Sequence, residues 1–170
     1  MAQKFRKIGV LTSGGDAPGM NAAVRAVTRT AIGRGIEVYG VRRGYNGLIN
    51  GDMEQLNLRS VSDIIHRGGT FLFTARSPEF NTPEGVQKAA DKCREMGIDG
   101  LVVIGGDGSF QGARALCKLG VPCIGIPATI DNDITATEYT IGCATAMNTT
   151  IEMVDRLRDT CESHARCNVV

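Results

Sequence analysis

Apolar residues come in short runs along this chain, and between the runs the spacing switches to a helical one. Ile8 to Leu11 has strand length and ends in Thr12-Ser13-Gly14-Gly15-Asp16-Ala17-Pro18-Gly19, a strand entering a tight glycine turn. Ala23, Val24, Val27 and Ala31 then recur on one helical face, which predicts a helix over about 21–32 stopped by Gly33 and Gly35. Glu37 to Val41 predicts a second strand, followed by the basic turn Arg42-Arg43-Gly44-Tyr45. Ser60-Val61-Ser62-Asp63 has capping-box spacing, with Asp in place of the usual Glu, and predicts a short helix ending near Arg67-Gly68-Gly69. Thr70 to Thr74 predicts a strand ahead of Ala75-Arg76. Thr82 and Pro83 are a good N-cap and first-turn pair for a helix through Met96, closed by Gly97.

The stretch from Leu101 to Asp133 organises the rest. It predicts a strand (Leu101 to Ile104), a glycine turn, a helix over about 110–119, a strand (Cys123 to Ile126) and a loop bearing two aspartates. A long helix over about 141–160 follows, with Ala144, Met147, Ile151, Val154 and Leu157 as its buried stripe. Arg166 to Val170 reads as the beginning of another strand. Strands alternating with helices across short glycine loops predict an α/β fold, a doubly wound, mostly parallel sheet in a Rossmann-like three-layer arrangement. Such a sheet brings Gly105-Gly106-Asp107-Gly108-Ser109 and Thr129-Ile130-Asp131-Asn132-Asp133 to one crevice at the carboxyl edge of neighbouring strands.

Composition narrows the partners. At 170 residues the chain is long enough for a sizeable core, and with 42% hydrophobic and 22% charged residues it is ordinary for a soluble domain. A net charge of +1 gives no case for nucleic acid or an anionic membrane as partner. Neither a membrane-length apolar run nor a signal-peptide core is present, and the expected location is the cytoplasm. Cys93, Cys117, Cys123, Cys143, Cys161 and Cys167 contain no C-x-x-C, which argues against zinc and fits reduced thiols.

The glycine loops escape the common labels. Gly14 and Gly19 have the outer spacing of a P-loop, but Met20 and Asn21 stand where Lys and Ser or Thr are needed. Gly106-x-Gly108 begins like a dinucleotide fingerprint, but the third glycine position holds Gln111, which disfavours a nicotinamide cofactor. Glycines at strand ends still let backbone N–H groups approach phosphate oxygens. Asp107 among them is suited to hold Mg2+ bridging to phosphates, against the plain alternative of tight turns. Asp131 and Asp133 follow Pro127; Asp131 reads as a general base, while Asp133 fits an Asp/Asn turn equally well. Arg25 and Arg29, four apart on the first helix, form either a solvated face or an anion clamp. His66 and His164 are isolated and carry no catalytic signal.

Several motifs in order then identify a family. Ile8-Gly-Val-Leu-Thr-Ser-Gly-Gly-Asp-Ala-Pro-Gly-Met-Asn, Ile104-Gly-Gly-Asp-Gly-Ser, Pro127-Ala-Thr-Ile-Asp-Asn-Asp, Asp155-Arg-Leu-Arg-Asp-Thr and Ser163-His-Ala-Arg together resemble the bacterial ATP-dependent 6-phosphofructokinases. The resemblance implies transfer of a phosphoryl group from Mg-ATP to O1 of fructose 6-phosphate, by an allosterically regulated homotetramer of glycolysis. It implies ATP binding by Gly15, Tyr45, Arg76, Gly106, Asp107, Gly108 and Ser109, with Asp107 on Mg2+. Thr129, Ile130 and Asp131 would meet the sugar, with Asp131 as base and Arg76 offsetting charge on the transferring group. Arg166 would reach the 6-phosphate in a neighbouring subunit's site. Arg25, Arg29, Asp63 and Arg158 correspond to the family's effector site for ADP and phosphoenolpyruvate.

Small residues at Gly108 and Ala128 match the ATP users, since pyrophosphate-using relatives commonly carry Asp and Lys there. Leu58 stands where many members have an effector-binding arginine, and Ser77 where many have an aromatic. The family is about twice this length, as two domains require. The resemblance therefore divides the chain into a nucleotide-binding domain, 1–138, and a linking helix with the start of a sugar-phosphate-binding domain, 139–170. The expectation is that this segment alone is a poor catalyst. The alternatives are a pyrophosphate-dependent relative, another Gly-Gly-Asp-Gly kinase, or a non-catalytic nucleotide sensor.

Overall fold

The computed structural model describes residues 5–135 and 137–169. Six strands form one sheet in the order β3-β2-β1-β4-β5-β6: β1 (Lys7–Thr12), β2 (Glu37–Val41), β3 (Met53–Leu56), β4 (Gly100–Gly105), β5 (Cys123–Thr129) and β6 (Ile141–Gly142). All neighbours are parallel except β2 and β3, which pair antiparallel with Val38 opposite Leu56. The sheet separates two cores, because successive side chains of a strand point to opposite faces. Leu11 packs with α2 (Gly44–Asn50), α3 (Pro83–Glu95) and α4 (Asp107–Lys118); its neighbour Val10 packs with α1 (Met20–Gly33) and with Val61, Ile64 and Leu72. This is the three-layer, mostly parallel α/β architecture that the alternation predicts.

Three expected elements differ. Ser60 to Arg67 is a set of turns and not a helix. The Ser60 hydroxyl accepts from the Asn57 N–H (3.1 Å), and Asn57 Oδ1 accepts from the N–H groups of Arg59 (2.8 Å) and Ser60 (3.1 Å). These local bonds occupy the groups that a capping box needs. Thr70 to Thr74 is not a strand, because β3 already covers the outer edge of β2; Phe73 instead turns the chain at φ +59°. The described part of the tail, 166–169, is likewise irregular, while Val170 lies outside the described residues.

Two elements were illegible as patterns. The α2 sequence, Gly-Tyr-Asn-Gly-Leu-Ile-Asn, reads as a turn, yet it is helical between two left-handed residues, Arg43 and Gly51. A Cβ on Gly47 would overlap the Arg42 carbonyl at 1.7 Å, so the close passage of chain there requires glycine. The short β3 carries no clear alternation and gains its form from pairing with β2.

Helix α5 (Cys143–Ser163) departs from its expected burial. Met147, Ile151, Val154 and Leu157 are exposed, and Cys143 is the buried residue of this helix. Met147 and Ile151 line a small pocket with Ile130 and Asp131, and the apolar stripe joins neither core among the described residues.

Candidate active site

The site assembles at the carboxyl edge of the parallel strands, where the chain leaves β1 toward one side of the sheet and β4 toward the other. The Ser13 N–H donates to the Ile104 carbonyl at 3.0 Å, tying the first glycine loop to the end of β4. Gly14 sits at φ +87° with its missing side chain aimed at the Ser109 hydroxyl. A Cβ on Gly105 would lie 2.4 Å from the Ser13 carbonyl oxygen and 2.6 Å from Ser109 Oγ. These two glycines let the loops touch.

Gly15 and Gly108 answer to something else. Neither has positive φ, and an added Cβ would meet no atom within 4 Å at either position. The fold therefore does not require glycine there; both open onto the cleft. Helix α4 begins at Asp107, three residues earlier than its apolar spacing predicts, and Gly106 caps it without a side-chain bond. The N–H groups of Ser109 and Phe110 both return to the Gly106 carbonyl at 3.1 Å. Those of Asp107 and Gly108 have no protein acceptor among the described residues. Free donors at the positive end of a twelve-residue helix make an anion cradle.

The Thr129 loop closes the second side. A Cβ on Gly106 would stand 3.5 Å from the Thr129 Cβ, so the two loops face each other directly. Thr129 ends β5; its Oγ1 accepts from the Asp131 N–H at 3.3 Å, and its carbonyl accepts from the Thr140 hydroxyl at 2.7 Å. Asn132, at φ +50°, accepts the Thr140 N–H at 2.9 Å, which holds the loop back against β6. Asp131 is thereby presented on the exposed side of the turn.

Tyr45 is largely buried in the cleft wall. Its ring stacks on Phe80 (centroids 3.9 Å apart, 6° between planes) and its hydroxyl donates to the Ser109 carbonyl at 2.5 Å. Burial raises the phenol above its ordinary pKa, and the nearby Cys123 and Cys117 thiols act in the same direction. The phenol therefore stays a donor that fixes the Asp107–Ser109 turn. Beneath both rings lies Gly112, where a Cβ would come within 2.8 Å of each.

The resulting cleft, about 1150 Å3, is lined by Gly15, Tyr45, Arg76, Gly106, Asp107, Gly108 and Ser109 on the nucleotide side of the prediction. Thr129, Ile130, Asp131 and Asp133 line the other side. Arg166 lies apart from it, exposed beyond the end of α5. Arg25 is half-buried, its Nη1 donating to the Val61 carbonyl at 2.5 Å, two residues before the exposed Asp63, while Arg29 is exposed four residues along α1. Arg158 sits on the exposed length of α5.

The donor set fits Mg2+ brought in with phosphates. One Asp107 carboxylate oxygen accepts from Gln111 Nε2 at 2.6 Å, leaving the other directed by that bond. Among the described residues no three His, Cys, Asp or Glu side chains converge on a point. Mg2+ commonly takes one or two carboxylates together with substrate phosphates and keeps its waters, so a single carboxylate beside an anion cradle suffices.

The phosphofructokinase family model matches residues 7–170. The chain belongs to the phosphofructokinase family. It is 62% identical over 166 residues to an ATP-dependent 6-phosphofructokinase of Bacillus pumilus, covering 98% of this chain and 52% of the relative. A Vibrio vulnificus ATP-dependent 6-phosphofructokinase is 61% identical over the same shares. The chain thus spans about half the length of the curated relatives it matches. The phosphofructokinase of Saccharomyces cerevisiae superposes with TM-score 0.85 at 40% identity, over 95% of this chain and 25% of that one. A pyrophosphate-dependent phosphofructokinase from Marinobacter aquaeolei, at 22% identity and TM-score 0.73 over 93% of this chain and 43% of that one, shares the fold.

Within this phosphofructokinase chain, Phe80 and Gly112 are among the cleft residues that motif reading passed over. The available signals were an aromatic alone in a polar loop, and a glycine one place past the failed fingerprint position at Gln111.

Proposed function

We propose that this chain supplies the nucleotide half of an ATP-dependent 6-phosphofructokinase, which transfers the γ-phosphoryl group of Mg-ATP to O1 of fructose 6-phosphate. The observation that carries the reading is the meeting of three carboxyl-edge loops around one cleft, with Gly15 and Gly108 open where the fold itself needs no glycine. The free N–H groups of Asp107 and Gly108 take phosphate oxygens. Asp107 would hold Mg2+, which when bound neutralises phosphate charge as it shifts toward the leaving group. Asp131, oriented by Thr129, accepts the proton of the O1 hydroxyl as its oxygen bonds to phosphorus. Arg76 offsets charge on the transferring group.

The open space at Gly108 supports ATP over pyrophosphate as donor, because a side chain there would occupy the cleft. Residues 139–170, with the exposed stripe of α5, begin a second domain that bears on the sugar phosphate, to which Arg166 contributes across a subunit boundary. The working protein is a cytoplasmic homotetramer, with Arg25, Arg29, Asp63 and Arg158 holding a nucleotide or phosphoenolpyruvate effector.

The test is ADP release from Mg-ATP with fructose 6-phosphate, with pyrophosphate as donor in parallel and Asp131→Asn beside the parent, all at the protein's natural length. Turnover with ATP, reduced at least ~100-fold by Asp131→Asn, is expected. Turnover with pyrophosphate alone would reassign the donor; ADP binding without turnover would leave a nucleotide sensor.

A further inference from the structure

We propose that Thr12 and Asn21, the two ends of the first glycine loop, are positioning residues that set Arg76 in the cleft. The inference rests on the phosphoryl-transfer reading and names how one of its cations is held. Between Leu56 and Glu79 the chain has neither helix nor strand, so no element of secondary structure fixes Arg76. Its place must come from individual bonds, and these converge on two buried polar side chains.

Asn21 is 2% exposed and uses both ends of its amide. Nδ2 donates to the carbonyls of Arg67 (3.1 Å) and Gly68 (3.3 Å), and Oδ1 accepts the Phe71 N–H at 2.8 Å. Thr12 is fully buried; its hydroxyl donates to the Phe73 carbonyl at 3.2 Å and meets the Thr70 hydroxyl at 2.9 Å, which leaves Thr70 as the donor there. The Arg43 N–H adds a bond to the Leu72 carbonyl at 2.8 Å.

These bonds bracket a strained turn. Phe73 holds φ +59° although its side chain is half exposed, so burial does little to offset a conformation that bulky residues avoid. The Thr12 hydroxyl holds the carbonyl of this same residue, and Thr74, Ala75 and Arg76 enter the cleft immediately after it. Thr12 and Asn21 also flank Ser13, Gly14 and Gly15, which line the cleft opposite. The bonds of Thr12 and Asn21 run to residues 67–73, so what they set is the approach of the arginine. Neither Thr12 nor Asn21 lines the cleft, so both act through the backbone that carries Arg76.

The experiment is a double-mutant cycle in the protein at its natural length, reading kcat, KM for both substrates and the thermal midpoint. Thr12→Val preserves shape and removes the hydroxyl; Asn21→Asp keeps the acceptor and removes the donor. Each is expected to lower kcat ~10-fold or more, with KM for Mg-ATP changed less than about threefold, since a misplaced charge is lost mainly from the transition state. Thr12→Ser should restore the parent rate. In an Arg76→Ala background both substitutions should leave kcat unchanged, because the group they position is gone. Equal fold-losses in the two backgrounds would overturn the proposal as ordinary structural damage. If Arg76→Ala leaves kcat at the parent value, the role of Arg76 itself falls, a failure distinct from the first. Should Asn21→Asp fail to fold, the Thr12→Val cycle decides alone.

Discussion

A Cβ added at Gly105 would lie 2.4 Å from the Ser13 carbonyl oxygen, whereas one added at Gly108 meets no atom within 4 Å. Backbone stands in the way at the first position, and a carbonyl cannot swing aside as a side chain can. Gly105→Ala is therefore expected to lower stability by ~1–3 kcal/mol, read as a fall in thermal midpoint. Gly108→Ala should leave stability within ~0.5 kcal/mol of the parent and weaken Mg-ATP binding, read by titration. The same comparison explains what was legible here. That glycines cluster at strand ends could be read directly, together with Asp107, Thr129 and Asp131. Which glycine the fold requires and which lies open to the cleft could not, because that depends on atoms contributed by another loop. Tyr45 is similar: the resemblance points to its position, but its bond to the Ser109 carbonyl and its stacking on Phe80 exist only in three dimensions.

The entry of β1 into the sheet is held by Asp99, in the loop before β4. Its Oδ2 accepts the N–H groups of Arg6 (2.7 Å) and Lys7 (2.9 Å), and its own N–H donates to the Lys7 carbonyl at 2.8 Å. The two carboxylate bonds, more than the Arg6 and Lys7 charges, hold its pKa below the ordinary 3.8. A depressed folded pKa means that the contribution is present above about pH 3.8 and is lost as pH falls below it. Asp99→Asn should cost ~1 kcal/mol near neutrality, a modest figure because the carboxylate is partly solvated. It should also flatten the acid limb of a stability–pH curve; an unchanged acid limb would remove Asp99 from the account. The elements themselves divide by range. β1, α1, β2, α3, β4 and β5 were readable because hydrophobic period and caps lie within each segment, as with Thr82 accepting the Gly85 N–H at 3.1 Å. α2 and β3 were not, because one depends on a close passage at Gly47 and the other on pairing with β2.

The core on the α2–α3–α4 side of the sheet holds its ionisable groups neutral. Burial pushes the Cys93 thiol from 9.0 up to about 11 and raises Tyr45 and Cys123 as well. Each folded pKa lies above its unfolded value, so this contribution is complete below about pH 9 and is lost as pH rises through about 11 for Cys93. Denaturant melts across that window should show falling stability, and Cys93→Ala should reduce the slope while weakening the core at neutral pH. The three-layer arrangement that encloses these groups follows from the sequence alone: alternating strand and helix periods leave few other ways to bury both faces of a parallel sheet. The sequence also determined the family and the two facing loops, since each motif is a short contiguous run. Only the tertiary structure decided the course of the chain from Asn57 to Arg76 and the exposure of α5. The helix expected from Ser60 gives way to the local Asn57–Ser60 bonds, but the later part of that course is set by bonds joining residues 58 and 50 positions apart, Thr12 to Thr70 and Asn21 to Phe71, and by β3 on the outer edge of β2, none of which a local pattern can show.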